Sequence, residues 1–271
     1  MPHFSSFITA ALLLTTTSTA ETPKRGLAAN DGILINNFWG IFKGHKSQIT
    51  WLYNWDSTTN QKQPFAEFVP MLWGTQSYHA QQWHNNARYW MQRGTQHLLG
   101  FNEPDRPDQA NMSPEAAVTA WKTYMEPYAG QVKLGAPAIS NAGYDWLSEF
   151  LNLCQGCHID FIPVHWYNDY TLEFDLENWV RKICQLGRGR EIWITEFQGF
   201  GSPAQQGEFL KRAMPFLDKT ACVARYAYFG TAMNSQVLLQ NGGPALSPLG
   251  TQYAFSPYGS GTVQGGMYGF R

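Results

Sequence analysis

Eight short β-type runs recur along this chain, and helix-like segments separate most of them. The runs lie at about Gly26–Asn30, Ile49–Trp55, Phe68–Trp73, Leu98–Asn102, Lys133–Ala136, Phe161–Trp166, Glu191–Glu196 and Ala224–Phe229. Their spacing averages roughly thirty residues, the size of one strand-plus-helix unit. The helical segments carry start signals. Ser113-Pro114-Glu115 supplies an N-cap, a first-turn proline and an acid that suits the helix dipole. Val118, Trp121, Met125 and Tyr128 follow at helical spacing. Further apolar faces start at Trp146, Trp179 and Phe209, and Ser247-Pro248 reads as the capped start of a last short helix. Such alternation within about 250 residues specifies an α/β fold, the (β/α)8 or TIM barrel, as a single domain. An open doubly wound sheet needs an anion-binding glycine turn after its first strand, and Asn30-Asp31-Gly32 is not one.

Residues 1–20 read as a signal peptide. Phe7 to Leu14 is mostly apolar, and Ser18-Thr19-Ala20 supplies small residues for cleavage. Residues 21–25 then form a possible short pro-segment ending in the dibasic pair Lys24-Arg25, whose alternative reading is two surface charges. The barrel domain is expected over 26–271. The apolar stretch is too short to span a bilayer, so no membrane association is expected after cleavage.

Charged residues make up 14% of the chain and the net charge is −1. Nucleic acid is therefore excluded as a partner, since phosphate binding needs a basic surplus. Aromatics reach 15%, with 11 Trp. Such rings pack cores, and they also stack on the C–H faces of sugars. The four cysteines, Cys154, Cys157, Cys184 and Cys222, favour disulfides in an exported protein, with three pairings open. The rival is zinc at Cys154-Gln155-Gly156-Cys157 with His158, although a second ligand pair is missing. Asn111-Met112-Ser113 is a glycosylation triplet weakened by Pro114.

The chemistry is carried by two runs that end on glutamate: Gly100-Phe101-Asn102-Glu103-Pro104-Asp105 and Trp193-Ile194-Thr195-Glu196-Phe197. Burying a carboxylate at a strand end costs free energy that structure alone does not return. Glu103 ends strand four and Glu196 strand seven, so both face the C-terminal mouth, where barrel sites gather. Paired carboxylates cleave glycosidic bonds, at about 5–5.5 Å for retention and about 6.5–9.5 Å for inversion. Trp73, Trp166 and Tyr228, late in strands three, six and eight, are candidate sugar-stacking platforms. Trp39 and Trp55 are weaker ones, and Trp51, Trp90, Trp121 and Trp179 belong to core faces. No phosphate loop, Ser-His-Asp order or metal-binding helix is present, so no metal or cofactor is expected.

Together with Lys24-Arg25-Gly26-Leu27-Ala28, Cys157-His158-Ile159-Asp160-Phe161 and Val164-His165-Trp166-Tyr167, these motifs resemble glycoside hydrolase family 128 of clan A. That family includes fungal alkali-sensitive-linkage-type cell-wall proteins. The resemblance runs over essentially the whole mature chain. It implies retaining hydrolysis of β-1,3-glucan or laminari-oligosaccharides, and with the export signal the expectation is a secreted or cell-wall β-1,3-glucanase, monomeric, with endo action favoured. Glu103 then matches the acid/base and Glu196 the nucleophile. Asn102 matches the residue bonded to the sugar 2-hydroxyl. His165 and Tyr167 become pocket residues, with Tyr167 holding the nucleophile. A non-hydrolytic gluco-oligosaccharide binder is the alternative, and an exo-glucanase or a hydrolase of another β-glucan is a further one.

Overall fold

The structure is a computed structural model that describes residues 23–30, 32–60, 66–232, 237–240 and 243–256. The expected signal peptide lies outside the described residues. Eight strands form the sheet: β1 Arg25–Ala29, β2 Ile49–Tyr53, β3 Glu67–Phe68, β4 His97–Leu99, β5 Lys133–Gly135, β6 Phe161–Asp169, β7 Glu191–Phe200 and β8 Val223–Thr231. Every pairing is parallel, in the order β3-β2-β1-β8-β7-β6-β5-β4. A bridge between Met71 and Leu99 joins the two ends. There Leu99 N–H donates to Pro70 O at 2.9 Å and Leu72 N–H to Leu99 O at 3.0 Å. The sheet therefore closes into the expected (β/α)8 barrel.

The helices are α1 Ser77–Ala80, α2 Trp83–Met91, α3 Pro114–Tyr124, α4 Tyr144–Leu153, α5 Glu173–Gly187, α6 Pro203–Lys219 and α7 Pro248–Phe255. Ser113 and Ser247 cap α3 and α7 as their sequence predicts. Ser202 and Gln205 form a reciprocal capping box at α6. The regular alternation relaxes early in the chain. A 3-10 helix at Gly32–Phe38 and a small hairpin of Ile41–Phe42 with His45–Lys46 stand between β1 and β2.

The core has two shells. Trp51, Tyr53, Met71, Leu99, Phe161 and Trp193 fill the barrel interior. A larger shell, including Ile162, Val164, Ile192, Ile194 and Phe209, lies between sheet and helices. Successive residues of a strand point to opposite faces, so shell membership fixes the inward positions of each strand.

Cys154 bonds Cys157, and Cys184 bonds Cys222. The Cys-x-x-Cys pair is thus closed on itself, which corrects the zinc alternative. The second bridge ties α5 to the entry of β8. The residues of the dibasic pair are part of the barrel. Lys24 Nζ donates to the carbonyls of Leu217, Asp218 and Thr220 at the end of α6. Arg25 opens β1, fully buried, with Nε donating to Tyr226 Oη at 3.2 Å. Among the described residues, no helix is long and apolar enough to cross a membrane.

Candidate active site

Strand four carries its direction past the ladder. Asn102 bridges Ala138, and Glu103 N–H donates to Ala138 O at 2.7 Å. Glu103 then turns with φ +40°, in the left-handed region that a non-glycine residue adopts only under constraint. Asp105 accepts from the backbone N–H and the hydroxyl of Ser140, which fixes the turn. The Glu103 carboxyl is buried at the mouth. Nδ1 of His165 lies 2.8 Å from its Oε1, and Arg106 Nε lies 3.5 Å from its Oε2.

Glu196 does not end its strand. β7 runs on to Phe200, paired with β6 as far as Asp169. What places Glu196 is a bulge. Val164 pairs with Ile194, but the next residue, His165, pairs with Glu196, so Thr195 is one residue too many. Strict alternation from inward-facing Trp193 would turn Glu196 toward the helices. The bulge turns it inward and sends Phe197 into the outer shell.

Three donors meet the Glu196 carboxylate: Trp55 Nε1 at 2.7 Å and Tyr53 Oη at 3.2 Å, both to Oε1, and Tyr167 Oη at 2.6 Å to Oε2. Burial, and then the Glu196 charge, push both tyrosine hydroxyls above their ordinary range, so they remain donors. His165 Nε2 lies 3.4 Å from Glu196 Oε1. A carboxylate oxygen of each glutamate and a ring nitrogen of His165 fall within 4.8 Å of one another. Such a cluster is compact enough for a cation. The converging N–H and O–H groups instead suit a bare, acceptor-only carboxylate.

Residues 26–253 match the family model described as glycosyl hydrolase catalytic core. A GH128 subgroup III curdlan-specific exo-β-1,3-glucanase from Blastomyces gilchristii, solved with glucose, has 39% sequence identity and a TM-score of 0.77. The alignment covers 86% of this chain and 97% of that one. The chain belongs to glycoside hydrolase family 128.

Other family 128 structures show the same likeness. A subgroup I endo-β-1,3-glucanase from Amycolatopsis mediterranei, solved with laminaritriose, is 29% identical with a TM-score of 0.70, over 85% of this chain and 98% of that one. Alkali-sensitive linkage protein 1 of Schizosaccharomyces pombe is 31% identical, in an alignment that covers 85% of this chain. The chain spans 44% of that protein's length.

The remaining expected site residues of this family 128 chain divide by strand parity. Asn102 lies buried beside Glu103, with Nδ2 donating to Gln109 Oε1 at 3.1 Å and Oδ1 unpaired. Tyr167 faces inward with His165. His165 is wholly buried beneath the two carboxyls, so it touches them rather than a sugar. Trp73 is half-buried, with its ring 4.9 Å from that of His79.

Trp166 and Tyr228 are corrections. Both point outward into the helical shell and are fully buried. Trp166 stacks on Phe209 at 5.5 Å and donates Nε1 to Asp175. Tyr228 donates its hydroxyl to Gln206. Their neighbours face the mouth instead. Phe229 lies 5.9 Å from Trp55 and 5.6 Å from Tyr167, and Tyr167 stacks on exposed Phe200 at 5.8 Å. Tyr53, Phe229 and Phe200 were missed by sequence reading, although alternation from Trp51 and Ala227 identifies the first two as inward.

Trp39 packs half-buried against the outer shell, and Trp51, Trp90 and Trp121 are core residues. Trp179 is half-buried and donates Nε1 to the His165 carbonyl at 3.1 Å. A separate groove of about 580 Å³, which includes Gln76, Asn111 and Tyr124, contains neither glutamate.

Proposed function

We propose that this chain is a retaining β-1,3-glucanase in which Glu196 is the nucleophile and Glu103 the acid/base. The observation that carries the reading is the convergence of the two glutamates at one barrel mouth, one oxygen of each within 4.8 Å of the other, with three donors aimed at Glu196. Such proximity supports the short separation of a retaining enzyme over the wider one of an inverting enzyme. Glu196 attacks the anomeric carbon while Glu103 protonates the leaving oxygen. Glu103 then activates water against the glycosyl ester. Asn102, next to Glu103 in the chain, is assigned to bond the sugar 2-hydroxyl.

The greater identity to the exo-acting relative favours cleavage from the chain end over the endo mode expected from sequence. The enzyme acts without a cofactor, as a secreted or cell-wall monomer. The signal-like start and the two disulfides support export.

Incubation with laminari-oligosaccharides tests this, with products resolved by size and anomeric form. Retained β-anomers are expected, together with loss of turnover in Glu103→Gln and Glu196→Gln. Inverted products, or near-normal turnover in either variant, would overturn the mechanism. Calorimetric binding without released sugar would identify a binder instead.

A further inference from the structure

Under the mouth, one imidazole lies between the two carboxyls, hydrogen-bonded to Glu103 and close to Glu196 without a hydrogen bond. His165 is fully buried, with Nδ1 2.8 Å from Glu103 Oε1 and Nε2 3.4 Å from Glu196 Oε1. Its backbone is pinned from both sides. His165 N–H donates to Ile139 O at 2.9 Å, and the His165 carbonyl accepts from Trp179 Nε1 at 3.1 Å. The main chain that carries the ring is therefore held in place relative to both glutamates.

We propose that His165 holds the catalytic proton of the free enzyme as an imidazolium between the two carboxylates, and passes it across the 2.8 Å contact to Glu103 when substrate fills the cleft. This rests on Glu103 being the general acid. It makes His165 a positioning residue for the proton rather than a group that touches sugar.

The surrounding charges favour the stored form. Burial opposes the imidazolium, but Glu196, Glu103 and Asp105 outweigh it and raise the His165 pKa above the ordinary histidine value. Other titratable groups face the site from each side. Arg106, on the same loop as Asp105, approaches Glu103 from the outer edge. Tyr53 from β2 and Tyr167 from β6 spend their protons on Glu196. Ser140, after β5, bonds Asp105, and α5 contributes the uncharged Trp179.

The proton count closes through the cycle. In the free enzyme two carboxylates and one imidazolium carry one net negative charge. Transfer to Glu103 leaves a neutral acid, a neutral imidazole and the Glu196 carboxylate, with the same total. In glycosylation the Glu103 proton goes to the glycosidic oxygen. The C1–O bond breaks with its electron pair on that oxygen, and a Glu196 oxygen bonds to C1. In the second half, water gives a proton to Glu103 and its oxygen to C1. The ester electron pair returns to Glu196, and the proton passes back to His165. A store of this kind keeps the acid loaded above the pH at which a lone carboxylic acid would be empty.

The first experiment is nitrogen NMR of the whole protein labelled at histidine, at neutral pH. His165, assigned by the signal missing in His165→Asn, is expected to show both nitrogens protonated. A bare ring nitrogen would overturn the proposal. The second is the pH profile of kcat/KM on a laminari-oligosaccharide. In His165→Asn the alkaline limb is expected to fall by about one pH unit or more, with activity persisting on the acid side. An unmoved alkaline limb would also overturn it. Should His165→Asn not fold, Glu103→Gln and Glu196→Gln supply the assignment, through the resonance that moves in both. Near-normal turnover in Glu103→Gln would signal failure of the general-acid reading. Failure of the proton store alone would leave that variant inactive.

Discussion

Trp55 and Glu196 are joined across the barrel mouth by an indole N–H donating to a carboxylate oxygen at 2.7 Å. Trp55 reaches that position with φ +57°, left-handed backbone that costs about 1–3 kcal/mol for a residue with a side chain. A hydrogen bond to a charged acceptor contributes about 1.5–3 kcal/mol, enough to hold the turn in place. Strain and hydrogen bond therefore belong together, and both serve to aim Glu196.

Removing the donor while keeping an aromatic ring separates aim from packing. Trp55→Phe is expected to lower kcat about tenfold to a hundredfold, with a smaller change in KM. Thermal denaturation of the variant should stay close to wild type, because Trp55 is half-buried rather than a core residue. Unchanged kcat would mean that Tyr53 and Tyr167 suffice to hold the carboxylate.

Trp166 behaves in the opposite way. It stacks on Phe209 with planes 4° apart, and its indole N–H is satisfied by Asp175. Trp166→Ala should cost about 3–5 kcal/mol of stability, seen as a large fall in Tm. KM for laminari-oligosaccharides, measured at a temperature where the variant is folded, should stay near the wild-type value. A rise in KM without loss of stability would return Trp166 to the sugar surface.

These two tryptophans show what the amino-acid sequence reveals and what it hides. Strand positions, helix caps and the two glutamates are legible, because alternation and capping are local properties. The outward turn of Trp166 is legible too, since His165 and Tyr167 on either side cannot share its face. The inward turn of Glu196 is not. It depends on Thr195 being left over in the pairing with β6, a relation between two strands that neither one encodes alone. The third strand is shorter than its apolar run suggests because Pro70 has no N–H to give to the ladder.

At the opposite end of the barrel the half-buried Glu67 carboxylate is expected to make the fold acid-sensitive. Glu67 meets His97 Nδ1 at 2.8 Å, Arg225 Nη2 at 2.7 Å and Gln96 N–H at 2.7 Å. Burial alone would raise its pKa, but the His97 hydrogen bond and the Arg225 charge win and bring it down to about 2. The folded value lies below the unfolded one, near 4.3. The stability contributed is therefore complete above about pH 4.3 and is lost as pH falls toward 2, to a limit of about 3 kcal/mol. Glu67→Gln strands Arg225 without its countercharge and should be less stable at neutral pH. The Tm gap from wild type should narrow as pH falls through this window. A gap that stays constant would assign the acid sensitivity elsewhere.

Gly26 connects that packed interior to the chemistry above it. A Cβ at this position would stand 2.2 Å from the Trp51 indole. Trp51 has little freedom to yield, because Nε1 donates to Lys24 O at 3.1 Å and its ring lies 5.1 Å from Trp193. Gly26→Ala should therefore cost about 1–3 kcal/mol through overpacking. The displacement has one direction that matters for function. Trp51 stacks at 6.0 Å on Tyr53, and the Tyr53 hydroxyl is one of the three donors to Glu196. The variant should lose kcat as well as Tm, although residue 26 touches no part of the site. Trp51→Leu added to Gly26→Ala relieves the clash and should restore more Tm than the two single effects predict by addition. Strict additivity in that cycle would show that the barrel wall absorbs the extra methyl elsewhere, and that Tyr53 is not reached through Trp51.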